Sequence, residues 1–254
     1  MSYTIQTFLI VCPLVFLAGF VDAIGGGGGL ISLPAYLLAG VPAHVAIGTN
    51  KLSSCCGTAL ATGRFIKNKY VNFKLGIPSV ICAMLGSYAG ANASLLMDEN
   101  WLKLALIFVL PLAAVVVLNR NLFPDAEEEG ELILSKRLFL IVGLSALVIG
   151  FYDGFYGPGT GTFLIVLFTV LGHLSTKQSN GQAKIINLTT NLTSLCVFIL
   201  HGQVLFILGI CAAVCNMLGA YFGSGLVMEK GAKIVRPSII FVLVLLLIKI
   251  IGGY

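Results

Sequence analysis

Gly19-Phe20-Val21-Asp22-Ala23-Ile24-Gly25-Gly26-Gly27-Gly28-Gly29 sets one carboxylate and five successive glycines directly after an apolar run. Five glycines do not sustain a helix, because each costs about 1 kcal/mol relative to alanine. The pattern returns as Gly150-Phe151-Tyr152-Asp153-Gly154 followed by Gly157-Pro158-Gly159-Thr160-Gly161, an offset of 131 residues. Two further blocks recur in the same order at an offset of 133. Gly48-Thr49-Asn50-Lys51-Leu52 matches Gly181-Gln182-Ala183-Lys184-Ile185, and Met84-Leu85-Gly86-Ser87-Tyr88-Ala89-Gly90 matches Met217-Leu218-Gly219-Ala220-Tyr221-Phe222-Gly223. Ordered self-similarity of this kind predicts two homologous halves, residues 1–119 and 137–254. The polar stretch 120–136, with Asp125 and Glu127 to Glu129, is the expected cytoplasmic linker between them.

The solvent of these halves is lipid. Of 254 residues, 58% are hydrophobic and only 10% charged, which leaves too little polar surface for a water-soluble domain of this length. The net charge of +5 reads as an orientation signal in the loops, and no nucleic-acid partner is expected. No Lys or Arg precedes the first apolar run, so that run is expected to remain as a membrane helix and not to be cleaved as a signal. The seven cysteines lie in apolar stretches without CxxC spacing and read as packing residues. His44, His173 and His201 stand at expected helix ends, none at ligand spacing from another, and neither a metal nor any other cofactor is expected.

Each half divides into five membrane segments, near 5–24, 29–40, 44–66, 73–97 and 101–119, then 137–156, 158–172, 176–200, 203–228 and 234–252. The predicted fold class is therefore an all-α membrane protein of two repeats, each with a short glycine-broken helix. The short segments fall below the roughly 20 residues that a full span needs, so they either cross with the help of extended glycine chain or re-enter. Loop charge favours crossing. With Lys67, Lys69 and Lys74 placed in the cytoplasm, five crossings per half bring Lys136, Arg137, Lys177, Lys230, Lys233 and Arg236 to the same side. An odd number of crossings inverts the second half relative to the first, an arrangement that recurs in transporters.

Three matched pairs carry the chemistry. Lys51 and Lys184 each begin a polar stripe, which continues through Asn187, Asn191 and Ser194 in the second half and through Ser54 and Thr58 in the first, beside Asn50. Intramembrane lysines face a pathway or a partner, or else snorkel to an interface. The glycine breaks, with Gly27 and Gly28 in one half and Gly159 and Thr160 in the other, offer backbone N–H groups to an anion; small residues also serve close helix packing. Asp22 and Asp153 precede the breaks and read as coupling groups, as neutralisers of lysine, or as caps of the following helix. No lysine follows either glycine run as a nucleotide-binding loop requires, and no nucleophile–base constellation suggests an enzyme.

In this ordered set of motifs the chain resembles the TauE/SafE family of sulfite and organosulfonate exporters, and within it the YfcA-like subgroup. The residues that carry the resemblance are Gly19 to Leu30, Ala46 to Leu52, Gly150 to Gly161 and Ala183 to Asn187, which span both halves. The resemblance implies a multi-pass protein of the bacterial plasma membrane that moves a small sulfur-containing anion such as sulfite or a sulfonate. The expected function is thus secondary transport by alternating access around Asn50, Lys51, Lys184 and Asn187, with an anion channel on the same basic residues as the alternative. Besides the lipid bilayer, the substrate is the expected partner.

Overall fold

A computed structural model describes residues 5–98, 134–230 and 237. The segments expected at 101–119 and 234–252, most of the linker, and Lys233 and Arg236 lie outside these residues. Among the described residues there are eight helices and no strand. They are α1 (Ile5–Gly25), α2 (Gly29–Leu38), α3 (Ala43–Lys67), α4 (Phe73–Leu95), α5 (Lys136–Phe155), α6 (Thr160–Val170), α7 (Thr176–Leu200) and α8 (Phe206–Lys230). The other eight expected segments thus reappear with ends shifted by a few residues; Pro42 stands one residue ahead of α3 as its N-cap.

α1, α4, α5, α7 and α8 are long and apolar enough to cross a membrane. α3 matches α7 in length, 25 residues each, but its polar face dilutes its hydropathy. α2 and α6 have 10 and 11 residues, roughly 15–17 Å of helix, about half of the hydrocarbon thickness.

Side chains are distributed for a lipid solvent. Leu9, Leu17, Ile81, Leu85, Leu144, Val148, Ile210 and Leu218 face outwards, whereas Asn50, Lys51, Thr58, Asn180, Lys184, Asn187 and Asn191 are buried. The polar residues lie mainly on α3 and α7, which occupy the centre. Polar groups at membrane depth are placed where protein and not lipid surrounds them.

Glycines set how closely the outer helices approach. α1 packs along α8 and α4 along α5. A methyl group on Gly219 or Gly223 would overlap the carbonyl oxygen of Phe16 or Phe20, and one on Gly86 or Gly90 that of Leu147 or Phe151. Gly86/Gly90 and Gly219/Gly223 are therefore small-xxx-small contacts that bring backbones together without lipid between them. Both pairs of helices run parallel. α3 and α7 run antiparallel, with the Thr62 hydroxyl on the Lys184 carbonyl at 3.2 Å and Gly48 against Gln203 further along. The starts of α4, α5 and α7 and the ends of α3 and α8 gather at one end of the bundle, which collects Lys67, Lys69, Lys74, Lys136, Arg137, Lys177 and Lys230. Lys177 lies 5.3 Å from the centre of the Tyr70 ring there.

At this end Ser175 caps α7. Its hydroxyl accepts the Gln178 N–H at 3.3 Å, while Gln178 Oε1 accepts the Ser175 N–H at 3.2 Å. Ser175→Ala is expected to cost about 1 kcal/mol, read as a lowered unfolding midpoint in detergent.

Candidate functional site

α1 ends where the glycines begin. Gly26 takes φ +76°, a left-handed conformation that costs other residues about 1–2 kcal/mol. The chain then enters α2 at Gly29. In the second half Gly157 and Gly159 take φ +96° and +86° before α6 starts at Thr160. The two breaks touch. A methyl group on Gly26 would overlap the backbone of Gly161 and Thr162, and Gly29 abuts Pro158. Thr162 donates its N–H to the Gly26 carbonyl at 3.3 Å and its hydroxyl to the Gly25 carbonyl at 2.5 Å. Asn180 Nδ2 donates to the Ile24 carbonyl at 2.8 Å. The carbonyls released where α1 ends therefore find donors inside the protein, as a break at membrane depth requires.

The lysines end on carboxylates and not at an interface. Lys51 Nζ lies 2.8 Å from Asp153 Oδ2 and donates to the Asp153 carbonyl at 2.6 Å. Lys184 Nζ lies 2.8 Å from Asp22 Oδ2 and also donates to the Asp22 carbonyl. Each lysine thus crosses to the aspartate of the other half of the chain. The carboxylates also meet the short helices. Asp22 Oδ1 accepts the Gly28 N–H at 3.4 Å, just ahead of α2. Asp153 Oδ1 accepts the hydroxyl of Thr160, the first residue of α6, at 2.7 Å. A carboxylate at a helix N-terminus is favoured by the free N–H groups and the dipole there. Both aspartates pair with a lysine, one of the roles the sequence left open. Neither short helix has a side-chain N-cap, the contacts being to the Gly28 N–H ahead of α2 and to the Thr160 hydroxyl.

Between the pairs lies a cavity of ≈ 20 Å³, lined by Asp22, Asn50, Lys51, Asp153, Thr160 and Asn187, together with Gly26, Gly29, Gly157, Ser54, Thr58 and Asn191. It has room for about one water molecule. Lys184 borders it through Asp22. Gly27, Gly28 and Gly159 are not in its lining; Gly28 reaches it through the Asp22 carboxylate. Asn50 Oδ1 is buried there without a hydrogen-bond partner, and Asn191 Nδ2 donates to Asn187 Oδ1 at 3.0 Å.

Sequence reasoning did not single out Asn180, Thr162, Gly26 or Gly161. Asn180 carries a weak signal, since it stands among Lys177, Gln178, Ser179 and Gln182 in the polar start of its segment. The glycine contact carries none, since it joins residues from different halves. Two of the histidines take up helix-end contacts: His44 Nε2 lies 3.0 Å from the Ser94 carbonyl oxygen, and His201 caps the C-terminus of α7.

The family model for "Sulfite exporter TauE/SafE" matches residues 11–250. A Sinorhizobium "Probable membrane transporter protein ORF9" is 34% identical, with 99% of this chain and 94% of that protein aligned. "Probable membrane transporter protein YfcA" of Escherichia coli K12 is 34% identical over 94% of this chain and 90% of that protein. A Haemophilus influenzae "Probable membrane transporter protein" is 33% identical, over 94% and 92%. No solved structure matches the chain. The match spans the glycine breaks, both lysines and both aspartates that meet at the cavity, and with it this multi-pass helical chain belongs to the TauE/SafE family of bacterial membrane transporters.

Proposed function

We propose that the protein is a secondary carrier of a small sulfur oxyanion, sulfite or an organosulfonate, working by alternating access between two inverted halves. The observation that carries this reading is the crossed exchange of Lys51–Asp153 and Lys184–Asp22 around a small polar cavity. Two ammonium groups, amides and hydroxyls supply the several donors that an oxyanion of charge near −1 takes up. A cavity with room for one water is too small for a sulfonate, so binding requires the halves to part and the ion pairs to open. A centre this narrow favours a carrier over a pore, because conduction needs a continuous path wide enough for the ion. The antiparallel run of α3 and α7, and of α1 and α5, supports inversion. The basic residues collected at one end support placing that end in the cytoplasm. Asn50, Lys51, Lys184 and Asn187 are the proposed substrate ligands, with Thr160 and the glycine-break N–H groups of Gly27, Gly28 and Gly159 reaching the anion once the cavity opens.

The test is flux of labelled sulfite and methanesulfonate into proteoliposomes containing wild-type protein, Lys51→Met or Lys184→Met. Each substitution is expected to lower flux at least tenfold. Unchanged flux in both variants would remove the lysines from the site, and a single-channel conductance in planar bilayers would replace the carrier with a channel.

A further inference from the structure

The two ion pairs agree in partners but differ in access. Lys51 and Asp153 are each 2% exposed, and Asp153 is further held by the Thr160 hydroxyl. Asp22 keeps 18% exposure, and the N–H of Gly28 reaches it only at 3.4 Å. Of the two carboxylates, Asp22 is the more loosely held and the more exposed.

Charge governs the response of the core to an entering anion. Two lysines and two aspartates sum to zero. For a lysine to turn to the anion it must leave its carboxylate, which then stands unpaired beside a second negative charge in a poorly polarisable interior. Buried groups in that position neutralise by taking a proton. From these charges and this difference in access we infer that Asp22 takes a proton as Lys184 turns to the anion, so that one proton and one sulfonate-class anion occupy the core and cross the membrane together. The step rests on the carrier function and is a proton transfer alone, with no change of oxidation state. Hydronium on the open side gives a proton to an Asp22 carboxylate oxygen and is left as water, as Lys184 Nζ leaves that oxygen. On the other side the anion departs, the proton returns to water, and Lys184 re-forms its pair.

The charged groups around Asp22 are few. Lys184 of α7 is in contact with it, and Lys51 of α3 and Asp153 of α5 line the same cavity. α2 and α6 carry no charged residue. Arg64 of α3 is directed to Tyr221 and Ser224 of α8 and lines a groove with Phe20 of α1 and Glu229 of α8, and Lys230 ends that helix.

Both empty and loaded cores are then neutral, so transport follows the proton gradient and not the voltage. Methanesulfonate suits the test, being the anion of a strong acid that carries no proton of its own near neutral pH. In wild-type proteoliposomes an acid-outside gradient of one pH unit should accumulate it about tenfold, and an imposed potential without a pH gradient should not move it. In Asp22→Asn the pH response should vanish. A potential of about 100 mV, positive inside, should then accumulate the anion up to about 50-fold, the equivalent of 2.3 kcal/mol per charge. Voltage-driven accumulation by wild-type protein overturns the inference and needs no variant to fold. Conversion to voltage drive in Asp153→Asn but not in Asp22→Asn overturns the choice of Asp22. Absence of both methanesulfonate and sulfite flux in wild-type protein removes the carrier function and this inference with it.

Discussion

Lys51→Met should lower stability by about 3–5 kcal/mol, the range found when one partner of a buried ion pair is removed and the other charge stays in place. Lys51 and Asp153 are each 2% exposed, so the abandoned carboxylate meets little more than the single water that the adjoining cavity can hold. Adding Asp153→Asn to Lys51→Met should restore most of the loss, because neutral side chains of similar volume replace a buried pair at little net cost. Recovery should stop about 1 kcal/mol short, since Lys51 also donates to the Asp153 backbone carbonyl and methionine does not. Lys184→Met should cost less than Lys51→Met, because Asp22 is 18% exposed and water partly takes the lysine's place. A double-mutant cycle on unfolding in detergent gives the coupling energies directly. Equal losses for the two lysines would show that exposure does not separate the pairs.

Gly26→Ala carries the second large effect. Its β-carbon would meet the backbone of Gly161 and Thr162, where no side chain can swing aside, and φ stands at +76°. Left-handed strain of about 1–2 kcal/mol adds to an overpacking term of about 1–3 kcal/mol, giving a destabilisation of roughly 2–5 kcal/mol. Gly40→Ala is the matched control: its φ is +79°, but nothing lies within 4 Å of the added methyl. It should lose only the strain, about 1–2 kcal/mol. The difference between the two unfolding midpoints isolates the contact between the breaks, and similar midpoints would mean that the contact contributes nothing.

The helices and the charged residues at the cavity are largely legible in the amino-acid sequence. Hydropathy marks the long helices, and the glycine runs after Asp22 and Asp153 mark the breaks, because both signals act within a few residues. Matching the blocks also singles out Lys51, Lys184, Asp22 and Asp153 together. Which lysine meets which aspartate is not legible. Asp22 and Lys51 are nearer in sequence than the pairs that form, which span 102 and 162 residues, and no periodicity operates across a broken helix. Gly26 illustrates the same limit. Five glycines in a row are equivalent in one dimension; only the approach of Gly161 makes one of them irreplaceable. Asn180 is one polar residue among several near the start of α7, and its task depends on α1 ending at Gly25.

The crossed pairs also constrain how the chain is made. During synthesis Asp22 enters the membrane 162 residues ahead of Lys184, and Lys51 precedes Asp153 by 102. At translation speeds of about 5–20 residues per second, Asp22 waits roughly 8–32 s for its native partner. The nascent first half therefore carries one acid and one base that it cannot pair natively, and its final insertion awaits the second. A ribosome stalled after the linker would leave a fragment whose one acid and one base both lack their native partners at membrane depth.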